Sequence, residues 1–552
     1  MINAYLTSDF TLLNVFQNSY SDKPIFYKLA AIWANHEGSL LIFVFLLSLC
    51  NLIIFNQVNN QQIKLATQKT VTLVIALFSL YIFFASNPFI LNKNYVANGM
   101  GLNPILQDFA LIIHPPILYL GYVISILIFA FTLALITEDN FSLSLLQILL
   151  KLQKLAFLTL TLGIALGSWW AYRELGWGGY WFWDPVENLA LLIWLFSLIS
   201  LHSNIAILNN KNLLNWFVFG NLTTFLVILL SFFVVRSGIL VSVHSFADDP
   251  YRGLFLLAIF FAVTAYVILT KKNCNIKKNT RKPNATKNNI IKIQNFLVSA
   301  VIIIVAFGVF FPLFYNFIMQ EEIFIGANFY NKSILPILLV MLVFMALLPQ
   351  KKIVFSPINI LVITIIAGNL IYLFIKENYN AILVIFAAAA LLTNFYALFA
   401  KKHYFKAYFA HSAFALIIIA IALNNLSRYE VERVVSVAEP LNIGKYELRL
   451  DGFIEGKAKN YLYAKAQFEL KNKKQIIKLQ PEQRYYLASD ITTKEVYIKR
   501  NFLHDIYLVI GEIYSKNKVK IRFIYNPYIN LIWLGALLLI LQFFFKFKYD
   551  KK

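Results

Sequence analysis

The sequence predicts an all-α polytopic membrane protein of about thirteen transmembrane helices that carries a small external β domain. Apolar residues make up 59% of the 552 residues and charged residues only 14%, whereas an ordinary soluble protein has about 25% charged residues. Many apolar runs approach the roughly 20 residues that span a bilayer. One long segment near the C-terminus instead alternates apolar and polar residues, which is typical of strands. Soluble enzymes, disordered chains and disulfide scaffolds are therefore excluded.

The apolar runs divide the chain into a membrane bundle and its flanking segments. Each run is expected to be a helix, because lipid offers no hydrogen-bond partner to a backbone group. The mixed, polar segment 1–38 should be external, the bundle should occupy 39–425, and a last helix with a cytoplasmic tail should occupy 527–552. The predicted spans are 39–57, 70–86, 115–137, 152–170, 187–207, 213–235, 251–270, 294–318, 333–349, 353–375, 379–400, 406–425 and 527–546.

The short loops between the spans predict the orientation. If the spans simply alternate, the lysine-rich loops, of which 271–292 is the longest, all fall on one side. By the positive-inside rule that side is cytoplasmic, so the N-terminus is outside and the C-terminus inside. A bacterial inner membrane is favoured over a mitochondrial one by prior alone. The net charge of +22 does not indicate a nucleic-acid partner, because the basic residues lie in separate loops beside lipid rather than on one patch.

Segment 426–526 is expected to be an external β domain between the last two helices. Its apolar residues recur with period two, as in Tyr446, Leu448 and Leu450, and this is the pattern of a half-buried strand. A long segment crosses the membrane regardless of its charge. A structural cap and a partner-docking module are both consistent with this pattern.

The most unusual stretch is the tryptophan-rich loop 169–187 in the middle of the bundle. It holds five of the nine tryptophans. Asp184 is expected to cap the following helix, with proline at its first position. An interfacial aromatic belt would also use tryptophan, but a belt would distribute it over all helix ends. The concentration in one outer loop favours a stacking platform for a large flat ring such as a porphyrin. The five tryptophans are Trp169, Trp170, Trp177, Trp181 and Trp183.

Four histidines are candidate ligands for haem iron. His114, at the outer end of the third span, and His244, in the outer loop after the sixth, flank the tryptophan loop on the same side. His202 and His411 lie within spans at a shared depth near the cytoplasmic side. A single intramembrane histidine is a functional candidate, although a neighbouring carbonyl would also satisfy it. Two pairs matched in depth favour axial ligation of haem, because neutral imidazole is a good iron ligand.

Other polar residues near the outer face leave two interpretations open. Arg173 and Arg236 lie closest to the loop and to His244. Their guanidinium groups suit the propionates of haem, and they equally suit phospholipid headgroups. His36 has a charged neighbour, Glu37, and is interpreted as a residue of a solvated turn or as a structural hydrogen-bonding group.

At WGGYWFWDPVEN the sequence resembles the tryptophan-rich WWD superfamily of haem-handling proteins in cytochrome c maturation. The wider match resembles the CcmF-type haem lyase family and extends from about residue 5 to the end of the chain. The supporting segments are WANHEGSLL (33–41), SNPF (86–89), LNPILQDFALIIHPPILYLGY (102–122), LTLGIALGSWWAYRELGWGGYWFWDPVEN (160–188), VRSGILVSVHSFADDPYRG (235–253) and YEVER (429–433).

The resemblance implies covalent attachment of haem to the CxxCH thiols of apocytochrome c on the outer face. It implies that His114 and His244 ligate the incoming haem, and that His202 and His411 ligate a resident haem b that receives electrons from a quinol. It also implies a haem chaperone and an apocytochrome-handling thiol protein as partners. We expect the reaction site at Trp177, Trp181, Trp183 and Asp184, and haem contacts from Trp169, Trp170, Arg173 and Arg236.

The chain departs from the family pattern at its start, because the family usually has about two more helices there. Two other functions fit part of the pattern: a haem-delivery or export subunit without ligation chemistry, and a polytopic transporter with an ordinary aromatic belt. The β domain and the second histidine pair argue against the delivery subunit. A transporter would show no Soret band in the absorbance of the purified protein.

Overall fold

The computed structural model describes residues 1–56, 58–94, 96–209, 212–240, 249–272, 285–347, 378–400, 404–437, 439–472 and 475–545. They divide into two compact units. The first unit comprises Met1–Met100, Phe109–Gly167 and Trp181–Ile337, and the second comprises Gly101–Asp108, Ser168–Tyr180 and Leu338–Lys552.

The N-terminal segment of the first unit is folded into three short helices ahead of the first span. These are α1 (Ile2–Thr7), α2 (Leu13–Asn18) and α3 (Ile25–Ala30). The first span then begins at His36, because the Asn35 side chain caps it by accepting a 2.8 Å hydrogen bond from the Gly38 amide. A Cβ atom on Gly38 would lie 1.8 Å from the Ile32 carbonyl oxygen. This close approach explains the glycine of the WANHEGSL stretch.

Eleven helices in the described part of the chain are long and apolar enough to cross a membrane, which confirms the predicted helical membrane fold. They are α4 (His36–Phe55), α5 (Gln61–Ala85), α6 (Phe109–Thr137), α7 (Leu143–Glu174), α8 (Pro185–Leu208), α9 (Leu214–Ser237), α10 (Pro250–Lys272), α11 (Ala285–Met319), α12 (Ala327–Leu347), α13 (Tyr379–Ala400) and α14 (Phe405–Ser427). A shorter apolar helix, α15 (Ile529–Leu541), follows the β domain. The predicted span 353–375 lies outside the described residues.

Helix α6 is the core helix of the first unit, since 89% of its apolar 18-residue stretch is buried. Buried amides connect it to its neighbours. The Asn221 amide donates to Thr132 Oγ1 at 3.0 Å, and Gln153 bonds to both Asn221 and Asn204 at 3.0 and 2.7 Å. This network joins α6, α7, α8 and α9, and it satisfies polar groups that lipid could not.

The C-terminal β domain of the second unit consists of two antiparallel sheets. Their strand orders are β1-β10-β9-β8 and β2-β3-β4-β6-β7, with β5 paired to β4. Alternate apolar residues of both sheets form one core, including Leu448 and Phe468 from one sheet and Ile510 and Phe523 from the other. The period-two prediction is therefore confirmed. The strands are β1 (Tyr429–Ser436), β2 (Leu441–Ile443), β3 (Tyr446–Lys457), β4 (Leu462–Lys471), β5 (Ile476–Leu479), β6 (Glu482–Tyr486), β7 (Ile491–Glu495), β8 (Tyr497–Arg500), β9 (His504–Ser515) and β10 (Lys518–Pro527).

Candidate functional site

The tryptophan-rich loop is shared by the two units. Its residues up to Tyr180 belong to the second unit and its residues from Trp181 onward to the first. Each part has its own packing partners, so the five tryptophans of the predicted platform fall into two groups. Trp169, Trp170 and Trp177 form one group, and Trp181 and Trp183 form the other.

Trp183 is held in a backbone conformation that is unusual for a tryptophan. Its φ of 57° lies in the left-handed region, which costs free energy for any residue with a side chain. The Asn188 amide donates to the Trp183 carbonyl at 2.8 Å. The indole stacks on the Tyr330 ring, with centroids 4.3 Å apart and planes at 5°, and meets Trp181 edge-on at 6.2 Å. Tyr330, on α12, was missed by the sequence analysis because no motif surrounds it.

Asp184 begins α8 as the sequence predicted. Its carboxylate accepts a 3.0 Å hydrogen bond from the Val186 amide. The Glu187 carboxylate accepts reciprocally from the Asp184 amide at 3.3 Å and from the Phe182 amide at 2.9 Å. This capping box satisfies the first backbone donors of the helix. The contacts give Asp184 a structural role, and its predicted catalytic role stays a prediction.

In the second unit two arginines cover the Trp169 ring. The guanidinium carbon of Arg173 lies 4.9 Å from the ring centroid and that of Arg500, at the end of β8, lies 5.5 Å away. Arg173 also forms an ion pair with the buried Asp108 at 2.7 Å. A carboxylate of the protein thus already neutralises this guanidinium, and Trp169 is positioned by cation–π contacts.

Trp170 lies inside the second unit and not on an exposed platform. Only 1% of its surface is exposed, and its indole N–H donates to the Ile105 carbonyl at 3.3 Å. The position differs from the predicted stacking face because the end of α7 packs against the preceding segment. Trp177 is half-buried. The haem contact predicted for Trp170 and the reaction-site role predicted for Trp177 stay predictions.

The β domain fastens the glycine-rich part of the loop within the second unit. The Asn526 amide donates to the Gly178 carbonyl at 2.9 Å, and Arg522 donates to the Gly176 carbonyl at 3.3 Å. Gly178 has a φ of +67°, and a Cβ there would lie 2.2 Å from Ile524 Cδ1. Only glycine combines this conformation with this close approach.

A buried carboxylate joins the β domain to the end of α7. The Tyr172 hydroxyl donates to Asp505 Oδ2 at 3.2 Å, and the Asn530 amide donates to Oδ1 at 2.7 Å. Burial raises the pKa of Asp505 above its ordinary value, and the two hydrogen bonds oppose that shift. The sequence analysis missed Asp505, Arg500 and Asn526, because only the folded chain brings them to the loop.

His114, near the start of α6, is held against α7 by a hydrogen bond of its ring. Its Nδ1–H donates to the Gly163 carbonyl at 2.7 Å, and a Cβ on Gly167 would lie 2.6 Å from its ring. A carbonyl only accepts, so the proton lies on Nδ1 and the lone pair on Nε2, the arrangement of many metal-binding histidines. Its predicted partner, His244, lies outside the described residues.

The two intramembrane histidines belong to different units. His202, on α8, has its Nδ1 atom 2.6 Å from the Gln294 side-chain amide. The Gln294 atom that faces the ring is Nε2. An amide NH2 group donates, so Nδ1 accepts this hydrogen bond and a neutral imidazole carries its proton on the other ring nitrogen. His411, on α14, has a buried Nδ1 with no hydrogen-bond partner in the described chain. Ligation of haem iron by His202 and His411, and their pairing, stay predictions.

Arg236 and His36 are both buried in the first unit, with 4% and 8% of their surfaces exposed. Arg236 donates to Ser39 Oγ at 3.0 Å and lies over the Phe232 ring at 4.9 Å. The interpretation of His36 as a solvated residue is wrong, because the capped start of α4 packs inside the unit. Contacts of Arg236 with propionate or headgroups stay predictions.

Known proteins resemble this chain over nearly its whole length. The cytochrome c-type biogenesis protein CcmF of Escherichia coli is 31% identical, and the match covers 98% of this chain and 88% of that protein. The chain belongs to the CcmF family. The cytochrome c-type biogenesis protein ccl1 of Rhodobacter capsulatus is also 31% identical, over 97% of this chain and 86% of its own length. The predicted family resemblance is therefore confirmed.

Domain families and a solved structure agree with CcmF membership. Residues 33–241 match the model of the cytochrome C assembly protein family, and residues 428–527 match the CcmF C-terminal beta-sandwich. A solved structure named Cytochrome c Heme Lyase CcmF superposes with a TM-score of 0.80 at 20% identity, covering 98% of this chain and 87% of that one. This CcmF relative therefore has the same overall fold, with many membrane helices and a β-sandwich.

Proposed function

We propose that this chain is a haem lyase that attaches haem to apocytochrome c. Each of the two thiols of a substrate CxxCH motif adds across one haem vinyl group. The S–H bond breaks, sulfur bonds to one vinyl carbon, and hydrogen goes to the other, so the step is an addition without net oxidation. The substrate supplies both thiols. The contribution of the lyase is to orient and ligate the haem.

The observation that supports this proposal most is the presence of both family regions in one chain. The assembly region at 33–241 is joined to a CcmF C-terminal beta-sandwich at 428–527. A subunit that only delivers haem has no need of that second region. A solved protein of the same fold is named Cytochrome c Heme Lyase CcmF, and the curated relatives are named cytochrome c-type biogenesis proteins.

In this proposal the tryptophan loop receives the incoming haem. Trp177, Trp181 and Trp183 provide aromatic faces for the flat ring, and the stack of Trp183 on Tyr330 stiffens that part of the loop. His114 offers Nε2 to the iron, because Gly163 holds the proton on Nδ1. His244 is the proposed second ligand.

His202 and His411 are the proposed ligands of a resident haem b. Such a haem supplies single electrons, which would keep the iron of the incoming haem ferrous, with a quinol as the electron source. Gln294 beside His202 fixes the orientation of that imidazole. On His411, Nδ1 is buried and has no hydrogen-bond partner among the described residues, so a ligand bound at that nitrogen would satisfy it.

The proposed setting is a bacterial inner membrane, with the tryptophan loop and the β-sandwich on its outer face. There the lyase would meet a haem-carrying chaperone, a thiol protein that handles apocytochrome, and apocytochrome c itself. The N-terminus would be outside and the C-terminus cytoplasmic, because the lysine-rich loops then face the cytoplasm.

The proposal is tested in bacteria that lack their own haem lyase and produce a reporter c-type cytochrome. With this chain, the reporter should carry haem that survives denaturation, and the purified chain should show a low-spin b-type spectrum. Substituting His202→Ala or His411→Ala should abolish both signals. Substituting His114→Ala, or the three residues Trp177, Trp181 and Trp183 together by Ala, should abolish only attachment. His504→Ala in the β domain is the matched control.

Two outcomes would contradict parts of the proposal. If the wild-type chain binds haem but the reporter never acquires a thioether, a delivery function replaces the lyase function. If the outer substitutions remove the b-type spectrum and the inner ones do not, the assignment of the two histidine pairs is wrong.

A further inference from the structure

Several buried polar atoms in the first unit have no hydrogen-bond partner in the part of the chain that the structure describes, and three of them lie close together. They are His36 Nε2, Tyr81 Oη and Arg236 Nε. The three side chains expose 8%, 0% and 4% of their surfaces. Buried polar atoms are nearly always bonded, so three such atoms in one neighbourhood need an explanation.

These atoms lie where the ends of four helices meet. Arg236 at the end of α9 bonds to Ser39 of α4 at 3.0 Å. At the start of α10, Arg252 pairs with Glu37 of α4 at 2.7 Å. The Tyr81 ring of α5 contacts the Phe255 ring of α10 at 5.4 Å. Both guanidinium groups lie within electrostatic reach of His36 and of Tyr81.

The charges around this cluster do not balance at Arg236. Within the described residues, the two carboxylates near the cluster are Glu37 and Asp249, and both pair with Arg252, at 2.7 and 3.0 Å. Arg236 has no carboxylate partner among the described residues, and its recorded contacts are Ser39 and the Phe232 ring. A buried guanidinium without a counter-charge is strongly unfavourable. A water molecule would satisfy its N–H groups but not its charge.

A group that completes this cluster would accept hydrogen bonds and carry negative charge. Arg236 Nε–H and the Tyr81 hydroxyl are donors, and His36 Nε2 is a donor in one tautomer. Because successive spans alternate, the four helix ends share a membrane face with the start of α8, directly after Trp181 and Trp183. Phospholipid headgroups lie at that face, and so would the propionates of a haem bound at the tryptophan loop.

We propose that His36, Tyr81 and Arg236 form a binding site for one anionic oxygen group, a carboxylate or a phosphate. Two sources carry this chemistry at that face: a propionate of the incoming haem and the phosphate of a phospholipid. The propionate assignment rests on the proposed lyase function, whereas the anion site itself does not.

The test uses the purified full-length protein in nanodiscs of zwitterionic or anionic phospholipid. Ferric haem and its dimethyl ester, which has no propionate charge, are titrated into wild type, Arg236→Gln and Tyr81→Phe. Arg449→Gln, on the β domain with a half-exposed side chain, is the matched control. Lipid phosphorus that remains bound after detergent exchange is measured in parallel. Tyr81→Phe removes one hydroxyl, so it tests the site even if Arg236→Gln does not fold.

If the anion is a propionate, Arg236→Gln should weaken haem binding about 10- to 100-fold, as expected for a lost charge-assisted bond. The ester should then bind the wild type as weakly as haem binds the variant. If the anion is a phosphate, haem affinity should stay constant and the bound phosphorus should fall in both site variants. If neither quantity changes in either variant, the anion site is refuted. Thioether formation by the wild type is scored separately, so a failed lyase function is distinguishable from a failed anion site.

Discussion

Trp183 is the residue at which the loop departs most from ordinary backbone geometry. Its left-handed φ turns the chain sharply before the capped start of α8, and the Asn188 amide and the Tyr330 ring hold it there. Strain of this kind is retained only where surrounding contacts over-determine it. The sequence alone identifies the tryptophan and the helix cap that follows it, but not the Tyr330 ring that α12 supplies.

Tyr330→Ala tests whether the stacking of Trp183 on Tyr330 contributes to stability and to haem attachment. Removing a fully buried aromatic ring should lower the free energy of unfolding by about 3–5 kcal/mol, and haem attachment to apocytochrome should fall more than tenfold because Trp183 loses its support. Tyr330→Phe keeps the ring, loses only the 3.1 Å bond from Asn188, and should cost about 1 kcal/mol. Thermal unfolding and haem attachment are measured together. If the Tyr330→Ala protein folds and still attaches haem fully, the stack of Trp183 on Tyr330 is not needed for attachment.

At the scale of elements, the connection between the β-sandwich and the tryptophan loop is the main finding. Strand β10 supplies Arg522, Ile524 and Asn526 to the glycine segment, and β8 supplies Arg500 to Trp169. From the sequence, segment 426–526 could be either a structural cap or a partner-docking module. These contacts give it a third role, because it shapes half of the loop.

Substitutions at two glycines of the loop distinguish the energetic cost of an unfavourable backbone conformation from the cost of a steric clash. Gly176 and Gly178 both have φ near +70°, but a Cβ on Gly176 would lie 3.9 Å from its nearest neighbour and one on Gly178 only 2.2 Å away. Gly176→Ala should therefore cost about 1–2 kcal/mol for its conformation alone. Gly178→Ala should cost about 1–3 kcal/mol more, because Ile524 must move. Thermal unfolding in detergent measures both, and equal losses in the two variants would contradict the packing argument.

The sequence predicted the helical elements well because the bilayer imposes a simple rule on them. Apolar runs of sufficient length became helices throughout the described chain, but two long helices begin well before the predicted residue. Helix α7 begins at Leu143 and not near residue 152, and α11 begins at Ala285 and not near residue 294. Backbone hydrogen bonding continues through polar turns beyond the apolar run, and hydropathy does not detect those turns.

At the scale of the whole molecule, the chain carries its candidate chemistry in two units. The first unit contains His114, His202 and the pair Trp181–Trp183, and the second contains His411 and Trp169. The sequence identified the tryptophans by their concentration in one loop, and the histidines by their depth in or beside membrane spans and by the family resemblance. The residues that position them, such as Gly163, Gln294 and Arg500, are ordinary in type and distant in sequence, so only the fold reveals them.

The central claim is that this chain forms thioether bonds, and one measurement tests it most directly. Purified protein is incubated under reducing conditions with ferrous haem and a synthetic apocytochrome peptide that contains CxxCH. The peptide is then analysed by mass spectrometry after denaturation. The account predicts a product whose mass equals peptide plus haem with nothing lost, because both additions conserve all atoms. A reaction in which the chain binds haem and peptide, yet every peptide stays unmodified while a known lyase modifies it, would contradict the account.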